Sequence, residues 1–310
     1  VVGEPILFVP RLESARVASG GFEMVAWTET EDPIALVAKA ASGSKRLLIG
    51  DHTWSGFLIG LQRELPDAVW ASASSLTSRL RIRKEPAEIE ALRQAAHGVD
   101  RVLSRIPDEV AFAGRTEIEV AADLRRMTVE EGHQVAMFAI VASGPNGASP
   151  HHDPEERVIQ PGDLVVCDFG GRHQGYYSDV TRTFSVGEPS ARQVEVHSAV
   201  QAANAAGHAR VAPGVPCQDV DRAARRVIDA AGYGDYFIHR TGHGIGLETH
   251  EHPYLMEGNT LPLEPGMSFS IEPGIYLPGD FGVRIEDIVL CSESGGDDLN
   301  RAERSLLVVG

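Results

Sequence analysis

The sequence predicts a two-part α/β protein, a small α/β unit over residues 1–82 followed by a larger unit over residues 83–310 built from two similar halves. Short apolar runs alternate with helical stretches through the first part, the signature of a small α/β domain. Beyond a charged junction helical periodicity takes over, and an order of two helices followed by a hairpin occurs twice.

In the small unit, residues 5–10 (PILFVP), 45–49 (KRLLI) and 68–70 read as strands, separated by helices such as 32–41. Val1 enters directly into a strand pair, so this unit is expected to be incomplete. Residues 81–85 are the charged junction, and Pro86 then opens a helix where a missing N–H costs nothing. From there Ile89, Leu92, Ala96, Val99, Leu103 and Ile106 recur at intervals of three and four, one buried face of a long helix. Thr116 and Glu119 form a capping box for the second helix. The apolar run 164–167, a Gly-rich turn and the strand-like stretch 176–186 complete the first half. In the second half Ser190 caps a helix, another runs from about Gln218 to Ala231 and stops at Gly232, and a hairpin-like stretch covers 267–290.

The repeat has a measurable offset. Pro161-Gly162 opens PGDLVVCD, ending at Asp168, and Pro265-Gly266 opens PGMSFSIE, ending at Glu272, a shift of 104 residues. The first helices of the halves, opening near Pro86 and Ala191, differ by 105. A duplicated α/β unit packs about a pseudo-twofold, and the seam between its halves is a natural place for a site.

Hydrophobic residues make up 43% and charged residues 23% of the chain, which excludes a disordered or collagen-like protein. No apolar stretch approaches the roughly 18 residues of a membrane span, and no basic-then-apolar leader opens the sequence, so a cytoplasmic protein with no membrane partner is expected. Cys167, Cys217 and Cys291 are few, odd in number and widely spaced, and read as buried thiols. With 44 acidic and 28 basic residues the formal net charge is −16, which repels phosphate backbones and argues against nucleic acid.

Asp168 and Asp179 lie eleven residues apart, and a symmetric hairpin between them turns at His173-Gln174 within GGRHQG. Such a hairpin sets the two aspartates directly opposite each other, Cβ atoms roughly 5 Å apart. Glu272 and Glu286 are fourteen apart, with their midpoint at Gly279 inside the turn Leu277-Pro278-Gly279-Asp280. One Asp on a strand usually faces solvent. Four carboxylates at matching places in a repeat require a cation between them, because opposed like charges are destabilising. The candidates are Arg182, Arg284 or metal ions. One arginine cannot satisfy four carboxylates, whereas two divalent ions can, and oxygen ligands with one imidazole favour Mn²⁺, Co²⁺ or Fe²⁺ over a thiolate zinc set.

Six of the twelve histidines fall in two clusters, His151-His152 and the stretch FIHRTGHGIGLETHEHP with His239, His243, His250 and His252. Gly242, Gly244 and Gly246 permit close backbone approach around His243 and exclude a helix there. The isolated His52, His97, His133 and His208 read as surface or core residues.

With SGPN at Ser143 to Asn146, Pro150-His151, CDFGGRHQGYYSDVTRTF, HRTGHGIGLETHE, IEPGIY and VRIED, the chain resembles the pita-bread metallopeptidases, specifically the Xaa-Pro peptidases aminopeptidase P and prolidase. The motifs run in order over residues 143–287. The resemblance implies a pita-bread (creatinase/aminopeptidase-like) catalytic domain behind a partial creatinase-like domain. It also implies two divalent ions, Mn²⁺ first and Co²⁺, Fe²⁺ or Zn²⁺ as alternatives, held by Asp168, Asp179, His243, Glu272 and Glu286. Asp179 and Glu286 would bridge the ions, with Asp168 completing one site and His243 and Glu272 the other.

By the same likeness a shared water becomes a hydroxide nucleophile that attacks the carbonyl before proline, while Glu272 passes its proton to the leaving nitrogen. His250 donates to the oxyanion, His151 and His239 orient the substrate, and Arg284, with Thr181, steadies the carboxylates. His152 stands where the family more often has a small residue and is taken as a bystander. The implied substrate is a proline-containing peptide or Xaa-Pro dipeptide, and the implied assembly a homodimer. A methionine aminopeptidase shares the five ligands but normally lacks an extra N-terminal domain. Metal-free creatinase and non-catalytic pita-bread peptide-binding modules would lack the ligand set. Dipeptidase and aminopeptidase P remain alternatives, separated by whether a loop blocks the space beyond proline.

Overall fold

A computed structural model describes residues 4–17 and 21–310 of the chain, which falls into two units, Val1–Thr77 and Ser78–Gly310. In the first, β1 (Ile6–Pro10) pairs in parallel with β2 (Glu23–Trp27). Helix α1 (Pro33–Ala40) then leads to a second parallel pair, β3 (Arg46–Ile49) and β4 (Val69–Ser72), joined through α2 (Ser55–Glu64). Parallel strands need such a crossover. Asp32 caps α1, its carboxylate accepting from Ile34 N at 2.9 Å just ahead of the proline at the first helical position. Helix α3 (Ser74–Arg81) follows.

In the second unit α4 (Pro86–Glu109) and α5 (Glu117–Glu130) precede β5 (Val135–Ser143), β6 (Leu164–His173), β7 (Tyr176–Tyr177) and β8 (Val180–Val186). The helix pair then recurs as α6 (Ala191–Arg210) and α7 (Cys217–Ala230). After it come β9 (Gly242–Gly244), β10 (Glu251–Leu255), β11 (Ser268–Ile271), β12 (Gly274–Leu277), β13 (Phe281–Arg284), β14 (Asp287–Ser292), β15 (Gly295–Asp298) and β16 (Leu307–Val309). Each half has an antiparallel core with the same logic: β6 runs between β5 and β8, and β11 between β9 and β14.

The predicted face of α4 is the inward one: Leu92, Ala96, Val99, Leu103 and Ile106 are buried, and Ile89 at its start is half-buried. Val99, Leu103 and Ile106 pack with Leu124 of α5 and with Phe169 and Val180 of the first sheet. In the other half Val196 and Val200 of α6 and Ile228 of α7 lie under Ile275 and Val283. The predicted Thr116–Glu119 capping box forms, and Ser190 caps α6 in a capping box with Gln193. Among the described residues no helix is long and apolar enough to cross a membrane, and all three cysteines are free and buried.

The first hairpin departs from its predicted register. Asp168 faces Thr181 rather than Asp179, because the turn sits at Gln174-Gly175, one residue later than expected. Both residues have positive φ, 49° and 88°. A two-residue turn that matches the strand twist needs this at both positions, and Gly175 supplies it without strain. Asp179 therefore lies two residues before Thr181, diagonal to Asp168 instead of opposite it. The second pair keeps its predicted symmetry. Ile271 pairs with Asp287 and Gly274 with Arg284, so Glu272 and Glu286 fall opposite one another between two ladders of common register, with Gly279 (φ 76°) in the turn. The halves meet at this level: Glu286 N donates to Thr181 O at 3.1 Å, an isolated bridge between β8 and the strand entering β14.

Candidate metal centre

Four carboxylates and an imidazole converge on the seam. Asp168 comes from β6, Asp179 from the residue before β8, His243 from the middle of β9, Glu272 from just past β11 and Glu286 from just before β14. Ligand-type atoms of Asp179, His243 and Glu286 lie within 4.8 Å of one another. His243 Nε2 is 3.3 Å from Glu272 Oε1 and 3.7 Å from Asp179 Oδ2. Asp168 is tied in through Arg284, whose Nη2 donates to its Oδ2 at 2.5 Å. Arg284 Nε donates to Thr181 Oγ1 at 3.1 Å, and that hydroxyl donates to Glu286 Oε2 at 2.7 Å, so one guanidinium and one hydroxyl hold carboxylates from both halves.

Backbone crowding explains the glycines around His243. A Cβ at Gly242 would lie 1.9 Å from Ser270 O and one at Gly244 2.3 Å from His252 O, so β9 fits between β11 and β10 only with glycine on both sides. Ser270 steadies two of the converging residues, its Oγ accepting from His243 N at 3.0 Å and donating to Glu272 Oε1 at 3.1 Å. His243 Nδ1 lies 3.2 Å from Gly244 O, which makes it the N–H donor and leaves the Nε2 lone pair facing the carboxylates.

Burial and repulsion act in one direction on the acids. Asp179 is pushed well above the ordinary carboxylate range by burial and then by the charge of Glu286. Glu286 is pushed up by burial and then by Glu272 and Asp168. Burial lifts Glu272 to about 7 against the pull of Arg284, and lowers His243 to about 3 with a contribution from His250. Asp168 Oδ1 is buried with no hydrogen-bond partner. Oxygen donors from both halves, a neutral imidazole lone pair and an orphaned buried oxygen fit divalent cations. Arg182, the other cation considered from the sequence, is committed elsewhere. It donates to Asp287 Oδ1 at 2.6 Å and to the carbonyls of Thr181, Glu286, Ala302 and Glu303.

A cavity of about 340 Å³ borders Glu272 and Arg284 and is lined by Pro150, His151, His239 and His250, with Arg240 and Met256 completing its wall. The His250 ring stands edge-on to His243, centroids 4.1 Å apart. His239 has both nitrogens engaged: Nδ1 donates to Arg240 O at 2.7 Å and Nε2 accepts from Tyr276 OH at 2.8 Å. The phenol oxygen in turn accepts from Arg284 Nη1 at 3.0 Å. Burial pushes His239 down to about 3 and Tyr276 up to about 12, which keeps this relay uncharged at both rings.

The structure thus brings together Asp168, Asp179, His243, Glu272 and Glu286 with Thr181, Arg284 and the cavity histidines His151, His239 and His250, whereas Arg182 is engaged by Asp287 and His152 Nε2 bonds Glu117 Oε2 at 2.9 Å. Ser270 and Tyr276 went unrecognised, although both stand inside quoted motifs. Strand alternation places Ser270 on the face of Glu272, a signal that was available. Tyr276 owes its part to the packing of β12 and β13, which spacing alone does not reveal.

The signature of metallopeptidase family M24 matches residues 90–293, and the chain belongs to this family, whose pita-bread fold it adopts. The probable dipeptidase PepE of Mycobacterium tuberculosis is 44% identical over 314 residues, 99% of this chain and 83% of that protein. The Xaa-Pro dipeptidase of Lactobacillus helveticus is 36% identical over 318 residues, 98% of this chain and 85% of that one. Among solved structures, the prolidase from Thermococcus sibiricus matches with a TM-score of 0.95 at 40% identity, covering 99% of this chain and 85% of that one.

Proposed function

We propose that this M24 metallopeptidase is a Mn²⁺-dependent dinuclear Xaa-Pro dipeptidase. The observation that carries the reading is the convergence of Asp168, Asp179, His243, Glu272 and Glu286 beside a cavity rimmed by histidines. Asp168 and Asp179 from one half and His243, Glu272 and Glu286 from the other are the residues that would hold the cations. Such cations would supply, when bound, an acidified water as nucleophile and polarisation of the scissile carbonyl.

The chain's own residues then have separate tasks. Glu272, held near 7, can take up a proton on its carboxylate and deliver it to the proline nitrogen as the C–N bond breaks. Burial favours the neutral form of His250, whose ring N–H can donate to the carbonyl oxygen as charge develops there. His151 orients the substrate, and His239, fixed by Arg240 O and Tyr276 OH, supplies a rigid wall. An Xaa-Pro bond carries no N–H, so recognition through its carbonyl alone suits it. The names of the Lactobacillus and Thermococcus relatives support the Xaa-Pro preference, and that of the Mycobacterium relative supports dipeptidase over aminopeptidase P.

The test is hydrolysis of Ala-Pro, Ala-Pro-Ala and Met-Ala-Ser by chelator-stripped protein with and without Mn²⁺, alongside metal content by mass spectrometry. Mn²⁺-dependent cleavage of Ala-Pro alone, with two ions per chain, is expected. Cleavage of Ala-Pro-Ala reassigns the chain to aminopeptidase P, and cleavage of Met-Ala-Ser alone to a methionine aminopeptidase. No cleavage of any of the three leaves a peptide-binding module.

A further inference from the structure

We propose that Glu117, acting with His152, is a positioning residue for the loop that presents His151 to the substrate cavity. The inference rests on the reading of His151 as a substrate-orienting residue. Glu117 sits in the first turn of α5 and is fully buried. Its carboxylate accepts from Ser143 N (2.7 Å), Ser143 Oγ (2.6 Å), Asn146 Nδ2 (3.1 and 3.2 Å), His152 Nε2 (2.9 Å) and Glu155 N (3.1 Å). No lysine or arginine is among these donors, although a carboxylate out of water is costly unless its lone pairs are filled.

Every donor belongs to residues 143–155, the segment that leaves β5 and passes the cavity. Both ends of the loop, Ser143 and Glu155, are therefore fastened to one carboxylate, and the middle is fastened again at His152. Neighbouring residues divide the work: His152 turns inward to Glu117 while His151 lines the cavity. Pro150, the residue before them, gives its carbonyl to Arg284 Nη1 at 3.0 Å, which joins the loop to the carboxylate cluster. Arg157 adds a brace, donating to Ser143 Oγ at 2.6 Å and to Asp163 Oδ2 at 2.6 Å. With His152 anchored to Glu117 on one side and Pro150 to Arg284 on the other, the direction of His151 is set from both of its neighbours.

The experiment is a double-mutant cycle in the full Mn²⁺-loaded chain with Ala-Pro as substrate, comparing Glu117→Gln, His152→Leu, His152→Gln, His151→Ala and the Glu117→Gln/His151→Ala pair. Glu117→Gln and His152→Leu should each lower kcat/KM about 10- to 100-fold, the range for outer groups that orient an active one. The loss should fall on kcat, because a bound but misoriented substrate reacts slowly. His152→Gln keeps a donor and should recover most of the activity. Glu117→Gln should add little once His151 is gone, since both act through one contact.

A Glu117→Gln or His152→Leu protein with lowered Tm but kcat/KM within about twofold of the parent, or full multiplication with His151→Ala, overturns the proposal and leaves Glu117 a structural residue. If His151→Ala itself leaves the kinetics unchanged, the role given to His151 falls and this proposal with it. Should Glu117→Gln fail to fold, the contrast between His152→Leu and His152→Gln decides.

Discussion

Replacing Arg284 by Met removes the guanidinium charge while keeping much of the side chain's bulk. Arg284 is buried and donates to Asp168 Oδ2, Thr181 Oγ1, Tyr276 OH and Pro150 O. Breaking a buried ion pair by removing one partner costs about 3–5 kcal/mol. In a unit of this size each kcal/mol corresponds to roughly 2–4 °C, so the metal-free variant should melt roughly 6–20 °C below the metal-free parent. Bound cations would neutralise the same carboxylates and recover part of that loss. Calorimetry of chelator-treated protein with and without saturating Mn²⁺ should therefore show a larger metal-induced rise in Tm for Arg284→Met than for the parent. The loaded variant should still lose about 10- to 100-fold in kcat/KM, because Asp168, Tyr276 and the Pro150 carbonyl lose a shared donor. A metal-free variant melting within about 2 °C of the parent, or one that Mn²⁺ stabilises less than the parent, refutes the view that Arg284 offsets a surplus of buried negative charge.

Three further outcomes are expected. Thr181→Val is nearly isosteric but strips Glu286 of its hydroxyl donor, so it should cost about 1.5–3 kcal/mol in urea unfolding; a smaller loss than about 0.5 kcal/mol would contradict the bond. His133, pushed down to about 4 by burial from 6.5, binds its proton more readily in the unfolded chain, so its stabilisation is full above about pH 6.5 and lost as pH falls toward 4. The stability difference between pH 7 and pH 4.5 should therefore shrink by about 2–3 kcal/mol in His133→Gln, and an unchanged difference counts against that burial effect. Gly242→Ala drives a methyl into Ser270 O and should cost about 3 kcal/mol or more; circular dichroism melts that match the parent would show β9 is not so tightly held.

Helix α4 was legible from spacing because its apolar positions answer to one period and lie on one inward face, Leu92 and Ala96 packing into one cluster and Val99, Leu103 and Ile106 into another. β5 was not, since VAMFAIVAS is an almost unbroken apolar run that suits a buried strand or a short buried helix equally well. The two acid pairs separate for a related reason. The fourteen-residue spacing of Glu272 and Glu286 is symmetric about Gly279, where the turn's positive φ falls, so midpoint and turn coincide. Between Asp168 and Asp179 the midpoint is His173-Gln174, but the glycine lies at 175, and the backbone demand of the turn displaced the pairing by two residues.

What the sequence conceals most is the support around the acids rather than the acids themselves. Carboxylates on apolar strands are conspicuous because burial makes them expensive. The groups that make them tolerable are a threonine, a serine, a tyrosine and an arginine, types common on any strand. Their partners lie far off in the chain: Arg284 reaches Asp168 across 116 residues and His152 reaches Glu117 across 35. No period or motif links such positions, since the packing of separate elements creates each contact. His152 therefore reads as a bystander until the fold sets it against Glu117, which places its effect in the direction of its neighbour His151 rather than in any substrate contact of its own.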